Sequence, residues 1–293
     1  MDWSVIRNDI EASTGEDFPV ANSRPVSGGD ISDAHVLESK SRKYFVKINR
    51  AHRVDMFEAE FEGLKEIQHS NSIKVPNPIC YNSSSNYSYL VLEFIQFAHQ
   101  NNRQCQQMLG EQIAAMHQCT AQRFGWYRDN TIGATKQINE QSDEWVAFYG
   151  ARRLGVQLSL ALEKGASHKL AKTVDRLHDN LESFFKTYSP VPSLLHGDLW
   201  SGNYAISELG EPVIFDPATY FGDREADIAM TELFGGYDGA FYEAYNSVFP
   251  LDDGYSVRKK LYNLYHIMNH FNLFGGGYER QAIATAESLL AEI

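Results

Sequence analysis

The stretch LLHGDLWSGN, residues 194–203, places an aspartate, Asp198, five positions before an asparagine, Asn203. Gly197 and Gly202 loosen the backbone around these two side chains. In phosphoryl transfer, a loop aspartate accepts or orients the proton of the attacking hydroxyl, and an asparagine at this spacing reaches a magnesium ion. The same spacing also fits an Asx-rich turn between two strands. The stretch is therefore a candidate catalytic loop, and the rest of the chain has to decide between the two interpretations.

A second candidate magnesium ligand follows this loop. Asp216 stands at the end of the apolar run PVIFD, shortly after Asn203 and directly before Pro217. In protein kinases a strand-ending aspartate and the loop asparagine hold the ions that bridge the nucleotide phosphates. The alternative for Asp216 is a helix N-cap or a turn acid before proline. Together with the candidate loop, its position favours the metal site.

Upstream, Lys47 lies in YFVKI, an alternating strand with apolar neighbours on both sides. The next segment, VDMFEAEFEGLKEI, has the apolar spacing of an amphipathic helix with acids on the opposite face. Kinases position the α and β phosphates with a strand lysine paired to a helix glutamate, and Glu60 is the candidate partner. Glu58 and Glu62 are rivals that project in other directions around the helix. The alternative for Lys47 is an edge-strand lysine that faces water.

The turn SGGDIS stands before Lys47, where a loop that covers the nucleotide phosphates would stand. Glycines allow the backbone to approach phosphates without a clash of Cβ atoms, although many hairpins use Gly-Gly-Asp for turn geometry alone. The candidate phosphate-covering residues are Gly28, Gly29, Asp30, Ile31 and Ser32.

The apolar strand YSYLVLEFI ends where a kinase hinge would pass the adenine, whose edge is read by backbone N–H and C=O groups. Glu93, Phe94 and Ile95 are the candidates for that contact, and a buried structural strand is the alternative.

The order of elements indicates an α+β chain in two parts. After an opening helix that ends near Gly15, extended runs and one helix dominate up to the strand at Glu93. Long amphipathic patterns then predict helices at 104–119, 142–162, 166–188 and 256–274, and two short strands flank Gly210. We place the boundary in the polar stretch 96–102. This division gives a nucleotide-binding lobe, residues 1–95, and a catalytic and substrate-binding lobe, residues 96–293.

Composition excludes several functions. The chain has 293 residues and a net charge of −12, which leaves no basic stripe for a nucleic acid. Three cysteines without CxxC spacing support neither a disulfide framework nor a zinc site. We see no signal peptide and no apolar run long enough to span a membrane. A cytoplasmic protein that binds neither membranes nor nucleic acids, and that acts as a monomer, is expected.

Five segments, HGDLWSGN, FDPATYFGDREADIAM, FVKIN, FEAE and NHF, together resemble the fructosamine kinase (ketosamine 3-kinase) family. That family is related to the aminoglycoside phosphotransferases and has the two-lobed protein-kinase-like fold. The resemblance implies that ATP, with Mg²⁺, phosphorylates the 3-hydroxyl of a ketoamine, a sugar attached through nitrogen to a small amine or a protein lysine. The phosphate then leaves by elimination and frees the amine, which repairs a glycation.

The resemblance also implies a role for each matching residue. Asp198 becomes the base, Asn203 and Asp216 the magnesium ligands, and Lys47 with Glu60 the phosphate-positioning pair. Trp200 and His270 match positions that flank the sugar-amine, where an indole face can cover a sugar and attract an ammonium group. The alternatives are core packing for Trp200 and a hydrogen-bonded helix histidine for His270.

One position departs from the family. Its members commonly have cysteine in the glycine-rich turn, whereas this chain has Asp30. A carboxylate close to the triphosphate would repel it, so we expect Asp30 to point away, cap a turn or face a metal. Regulation through a thiol at this turn is therefore not expected. The alternatives to a ketoamine kinase are another small-molecule kinase of the same fold, acting on an aminoglycoside, choline or a sugar, and a nucleotide-binding module without catalysis.

Overall fold

An antiparallel sheet forms the N-terminal part of the chain. The structure is a computed structural model that describes residues 3–26, 32–98 and 102–293, and in these residues the sheet has five strands in the order β1-β2-β3-β5-β4. The strands and the helices that cover them are α1 (Ser4–Thr14), β1 (Asn22–Val26), β2 (Asp33–Glu38), β3 (Lys43–Arg50), α2 (Val54–His69), β4 (Pro78–Ser83) and β5 (Tyr87–Glu93). This part confirms the small antiparallel sheet that the sequence predicts.

The sheet lies between α1 and α2, and the alternation of β3 assigns its side chains to one or the other. Tyr44, Val46 and Ile48 are buried in the same cluster as Ile10 of α1. Because successive side chains of a strand point to opposite faces, Lys47 projects to the other face, which α2 covers. The alternation of β3 therefore directs the Lys47 side chain towards α2, the helix that carries Glu60.

The edge strands β1 and β4 are the elements that the sequence shows least clearly. Each contains a proline, Pro25 in β1 and Pro78 in β4. Proline cannot donate a hydrogen bond to a ladder, so it is confined to edges, which is where both strands lie. Each proline also interrupts the alternating pattern by which a strand is recognised in the sequence.

The remainder of the chain is mainly helical, with short two-stranded ladders between the helices. The helices are α3 (Arg103–His117), α4 (Trp145–Phe148), α5 (Val156–Glu163), α6 (His168–His178), α7 (Glu225–Leu233), α8 (Gly239–Val248), α9 (Tyr255–Phe274) and α10 (Tyr278–Leu290). The ladders pair β6 (Asn130–Ile132) with β7 (Thr135–Gln137), β8 (Ser193–Leu195) with β11 (Tyr220–Gly222), and β9 (Tyr204–Ile206) with β10 (Pro212–Ile214). The fold is α+β, as predicted. Within the described ranges, no helix is long and apolar enough to cross a membrane.

Two predicted helices differ from the observed ones. The helix predicted at 166–188 ends at His178, because the Asn180 side chain donates to the Arg176 carbonyl at 2.8 Å and competes with the next helical turn. A 3₁₀ turn, Leu181–Phe185, replaces its second half. The helix predicted at 142–162 begins at α4 and passes through a π-helical stretch, Tyr149–Gly155, before α5. Periodicity alone does not reveal such a wide turn.

Helices α3 and α8 pack closely at Gly110. A Cβ atom built at Gly110 would lie 2.3 Å from the Phe241 carbonyl oxygen, so the two backbones approach closer than any side chain would allow. This contact fixes α3 next to β8, the strand that leads to the candidate catalytic loop.

We expect Gly110→Ala to lower the free energy of unfolding by about 1–3 kcal/mol, because α3 and α8 would have to separate to admit the methyl group. Gly239→Ala, at the start of α8, is the control, since nothing lies within 4 Å of a Cβ atom built there. Urea unfolding of both variants measures the difference. A Gly110→Ala protein as stable as the parent would contradict the close approach of the two helices.

Candidate active site

The candidate catalytic loop joins β8 to β9. Asn203 ends a short 3₁₀ turn, Ser201–Asn203, which brings its side chain back to Asp198. The Asn203 amide Nδ2 donates to the Asp198 main-chain oxygen at 2.9 Å and to its Oδ2 atom at 3.2 Å. One carboxylate oxygen of Asp198 is therefore engaged, and the residue is held in a fixed orientation.

A buried carboxylate in α7 holds the backbone of this loop. Asp227 accepts the N–H groups of His196 at 2.7 Å and Gly197 at 2.8 Å. The His117 Nε2 atom lies 3.1 Å from Asp227 Oδ2, and its Nδ1 atom lies 2.9 Å from the Tyr245 hydroxyl oxygen. If Nδ1 accepts from that hydroxyl, Nε2 carries the proton and donates to Asp227. Burial would raise the pKa of Asp227, but the hydrogen bond from His117 and the other donors outweigh it and hold the pKa below its usual range. Asp227 thus remains a carboxylate inside the protein.

His196 connects the loop to the segment that carries Asp216. Its Nδ1 atom accepts the Asp198 N–H at 3.3 Å, so Nε2 carries the proton and donates to the Phe215 carbonyl at 2.9 Å. Burial lowers the pKa of His196, which keeps this neutral tautomer. The histidine therefore acts as a buried spacer between the two candidate site loops.

Asp216 projects into the cleft between the two parts of the chain. Its φ is 59°, in the left-handed region that aspartate tolerates better than most residues, and its side chain is 46% exposed. Lys47 Nζ lies 2.5 Å from Asp216 Oδ1 and 2.6 Å from Glu60 Oε1. The structure therefore brings the predicted lysine, helix acid and strand-end acid into direct contact.

The rival acids on α2 have other partners. Glu58 accepts the Tyr81 hydroxyl at 2.7 Å and pairs with Arg128 at 2.9 Å, and Glu62 faces the Tyr127 hydroxyl at 3.5 Å. Among the three acids that the sequence left open, Glu60 is the partner of Lys47.

Charge is unevenly balanced in the cleft. Burial would lower the pKa of the Lys47 ammonium, but the Asp216 and Glu60 carboxylates outweigh it and hold the pKa above its usual value. Burial and the nearby Asp216 carboxylate raise the pKa of Asp198 to about 7, against the Asn203 hydrogen bond. Burial and the nearby Asp216 carboxylate also raise the pKa of Glu60 to about 7, against the charge of Lys47. The half-exposed Asp216 carboxylate is therefore the acid of this group that is best placed to bind a further cation.

Asp216 and Asn203 suit a magnesium ion. Magnesium is usually held by one or two carboxylates, waters and substrate phosphates, and less often by a cage made only of protein groups. The half-exposed Asp216 offers carboxylate oxygens, and the Asn203 amide, whose nitrogen faces Asp198, directs its oxygen away from that residue. In residues 3–26, 32–98 and 102–293, no group of three or more His, Cys, Asp or Glu side chains could hold a metal ion, so phosphates would have to complete the coordination.

The candidate nucleotide-covering turn and hinge are only partly described. Residues 28–31 lie outside the described residues, and Ser32 accepts a hydrogen bond from Asn49 at 3.1 Å. Glu93 already donates its N–H to the Asn77 carbonyl at 2.8 Å, and its side chain accepts the Asn77 N–H at 3.1 Å. The Glu93 N–H is therefore engaged within the protein, and the adenine contact of Glu93, Phe94 and Ile95 stays a prediction.

The ring of Phe234, which the sequence analysis did not identify, contacts both Trp200 and His270. Trp200 is 38% exposed, which argues against the core-packing alternative, and its ring covers Gly202. The ring of Phe234, itself 45% exposed, lies 6.4 Å from Trp200 and 5.0 Å from His270, measured between centroids. His270 Nδ1 also lies 2.8 Å from the His266 carbonyl, as a hydrogen-bonded helix histidine would. The three rings form an open aromatic surface next to the catalytic loop.

The sequence contained a signal for Asp227 but none for Phe234. Asp227 lies in EADIAM, where a helical acid has apolar neighbours and would be costly to bury without donors. Phe234 follows Leu233 directly at the C-terminal end of α7, and only the tertiary fold brings it to Trp200.

The comparison with known proteins agrees with this geometry. A family model described as Fructosamine kinase matches residues 2–292. The chain is 48% identical over 281 residues to a protein of Synechocystis sp. named probable ketoamine kinase, and the match covers 96% of this chain and 94% of that protein. It is 41% identical over 268 residues to the chloroplastic protein-ribulosamine 3-kinase of Arabidopsis thaliana, with coverage of 90% and 81%.

Solved structures show the same architecture. A crystal structure of a candidate fructosamine-3-kinase from Haemophilus somnus superposes with a TM-score of 0.90 at 28% identity, covering 98% of this chain and 97% of that one. An aminoglycoside phosphotransferase superposes with a TM-score of 0.68 at 15% identity, with 98% of both chains covered. At that identity the second likeness concerns the fold alone.

We expect Asp227→Asn to lower the free energy of unfolding by about 1–3 kcal/mol. His196 and Gly197 donate to different oxygens of Asp227, and the NH2 group that replaces one of these oxygens leaves a buried N–H group without an acceptor. Asp238→Asn is the matched control. Asp238 is an exposed N-cap of α8, and asparagine caps a helix equally well. Thermal and urea unfolding compare the two variants, and equal stability would mean that Asp227 does not hold the loop.

Proposed function

The chain belongs to the fructosamine kinase family, and from this membership we propose that it transfers the γ-phosphate of ATP to the 3-hydroxyl of a ketoamine. The family that the sequence motifs suggested is thereby confirmed. The observation that carries the proposal is the joint placement of a catalytic-loop pair, Asp198 with Asn203, beside the Lys47, Glu60 and Asp216 contacts. The relatives named for ketoamine and protein-ribulosamine phosphorylation support the choice of acceptor.

In the proposed reaction, Asp198 receives or orients the proton of the acceptor hydroxyl. Asn203 engages the Oδ2 atom, so Oδ1 is the oxygen that faces the substrate. A pKa near 7 gives this carboxylate the basicity that a general base needs close to neutral pH. The Asp227 and His196 contacts prevent the loop from turning this oxygen away from the acceptor.

On the donor side, Lys47 is the group that contacts the phosphates. Glu60 holds the ammonium from the side of α2, and the flexible stem allows Lys47 to exchange its contact with Asp216 for a phosphate oxygen. Asp216 and the Asn203 oxygen would hold Mg²⁺, which neutralises charge on the phosphates when it is bound. Residues 28–32 would cover the phosphates, and backbone groups of Glu93, Phe94 and Ile95 would contact the adenine.

The acceptor binds beside the exposed aromatic surface. The Trp200 indole can cover the apolar face of the sugar, and a ketoamine nitrogen that carries a proton is attracted to the ring face. His270 would flank the same group from the far side of Phe234. No observation favours an aminoglycoside, choline or simple sugar acceptor, because the likeness to the aminoglycoside enzyme extends only to the fold.

We also propose the setting of the reaction. The three free cysteines suit a reducing compartment such as the cytoplasm, and the acidic net charge of −12 gives no basis for a nucleic acid partner. The acceptor is a ketoamine on a free amine or on a protein lysine, and the chain works as a monomer. We also propose that the boundary between the two lobes lies at residues 96–102.

The first test concerns the catalytic base. The parent protein with ATP and Mg²⁺ should release ADP in the presence of ribulose-lysine or fructose-lysine, and NMR should locate the phosphate on the third carbon. Asp198→Asn should retain nucleotide binding but slow turnover by roughly 10²- to 10⁴-fold, the range for loss of a positioned base.

Asn203 and Lys47 are unchanged in that variant, so calorimetric titration with ADP and Mg²⁺ serves as the control for an intact site. An unaltered turnover number in Asp198→Asn would reduce the loop to a structural turn. A parent protein that phosphorylates none of the ketoamines would refute the proposed acceptor.

The second test concerns acceptor binding. Trp200→Ala should raise KM for the ketoamine far more than KM for ATP, because the indole is placed to cover the sugar and lies away from the nucleotide groups. Trp200→Phe keeps an aromatic face and should recover most of the loss. Equal changes in both KM values, or a drop in thermal stability that accounts for the loss, would contradict the assignment.

A further inference from the structure

Helix α2 presents a second row of acids besides Glu60. Glu58, Glu62 and Glu66 are spaced four residues apart and therefore lie along one face of the helix. Three consecutive residues from the C-terminal part of the chain face this row. The contacts are Arg128 to Glu58 at 2.9 Å, the Tyr127 hydroxyl to Glu62 at 3.5 Å, and Trp126 Nε1 to Glu66 at 3.2 Å.

Buried hydrogen bonds hold the segment that supplies these three residues. We call residues 126–139, which include β6 and β7, the clamp segment. Asn139 donates to the Arg128 carbonyl at 3.2 Å and to Asn130 Oδ1 at 2.9 Å, and Gln137 donates to the same Asn130 oxygen at 2.9 Å. The fully buried Arg153 donates to Asn139 Oδ1 at 2.7 Å. A buried polar network of this kind specifies one arrangement of the segment.

The clamp segment also holds the backbone that follows Asp216. Asn130 donates to the Thr219 carbonyl at 2.7 Å, and Gln137 donates to the Ala218 carbonyl at 3.0 Å. Helix α2 itself lies against this stretch, since a Cβ atom at Gly63 would be 3.0 Å from Thr219 Oγ1. One rigid segment therefore contacts both α2 and the chain that leads from Asp216.

We propose that the clamp segment, through Arg128 and its neighbours, sets the position of α2 relative to Asp216 and so positions Glu60 against Lys47. This inference rests on the proposed function in one respect, the role of Lys47 in holding phosphates. Arg128 is a positioning residue that acts through α2 and touches neither nucleotide nor acceptor. Because a displacement of about 1 Å far from the chemistry can reduce the rate by 10²-fold, the clamp segment matters to activity without contacting the substrate.

The clamp segment restrains the movement of α2 through the row of acids on the helix. The apolar side of α2 packs into a core that the sheet shares with the C-terminal part of the chain, and the Lys47–Glu60 pair is a single polar contact of the helix. The row from Glu58 to Glu66 spans about two helical turns, including the turn of Glu60, so contacts along it oppose both rotation about the helix axis and tilting away from the sheet. Loss of these contacts should free α2 to move while the sheet and the catalytic loop stay folded.

The test compares Arg128→Ala with Arg123→Ala. Arg123 pairs with Asp143 at 2.8 Å at an exposed position and does not contact α2 in the described structure, which makes it the matched control. Arg128→Ala should lower kcat/KM for ATP by roughly 10- to 100-fold and increase hydrogen exchange across Val54–His69. Arg128→Lys, which can still pair with Glu58, should recover part of the loss, and Arg123→Ala should behave like the parent.

A double-mutant comparison distinguishes positioning from general support. If Arg128 acts through Glu60, then Arg128→Ala should cost little more activity in a Glu60→Ala background than Glu60→Ala costs alone. Glu66→Ala, which releases Trp126 Nε1 without disturbing the buried ring, should act in the same direction as Arg128→Ala. An equal loss in both backgrounds, accompanied by lower thermal stability, would show a merely structural role and overturn the proposal.

Two readouts do not depend on the acceptor. Hydrogen exchange of α2 and calorimetric binding of ADP with Mg²⁺ can be measured even if no ketoamine is phosphorylated. Faster exchange in α2 and weaker ADP binding in Arg128→Ala would support the clamp on their own. Parent-like exchange in both Arg128→Ala and Glu66→Ala would refute it, whatever the acceptor of the enzyme is.

Discussion

The buried Asp227 carboxylate is the interaction on which the site depends. The N–H groups of His196 and Gly197 have no water to bind, and a single carboxylate satisfies both. Their direction fixes the turn at Gly197, whose φ of 82° and whose approach to the Ala218 carbonyl leave no room for a side chain. Once this turn is fixed, Asp198 can project only towards the cleft. The orientation of Asp198, the proposed base, thus follows from hydrogen bonding in the core of the C-terminal part.

Across the cleft, the sheet supplies a complementary constraint. The alternation of β3 anchors Tyr44, Val46 and Ile48 under α1 and leaves Lys47 to α2. The lysine then meets Glu60 and Asp216, which belong to different parts of the chain. A single cation between two acidic side chains thus joins the two parts of the chain. If magnesium binds with nucleotide phosphates, Asp216 would gain another cation and Lys47 a phosphate oxygen in place of their mutual contact, while Glu60 would keep its contact with Lys47.

The sequence predicted those features that local periodicity and spacing encode. The alternating β3, the amphipathic α2 and the loop from Asp198 to Asn203 all carry their signal within a short window. The interruption of the helix after His178 depends on one side-chain hydrogen bond from Asn180, which no hydrophobic pattern records. The choice of Glu60 over its neighbours, and the meeting of Trp200 with Phe234, depend on contacts between distant segments. Local propensity contains no information about such contacts.

The alternation of β3 also limits how the length of this chain can change. A residue added or deleted between Tyr44 and Lys47 would exchange the two faces of the strand, moving the ammonium into the apolar layer against α1 and an apolar side chain into the cleft. The same change in the turn at Ser39–Arg42, closed by the hydrogen bond from Ser39 N to Arg42 O, would leave both faces unaltered. Length variation among relatives of this chain should therefore collect in the turn and avoid the strand.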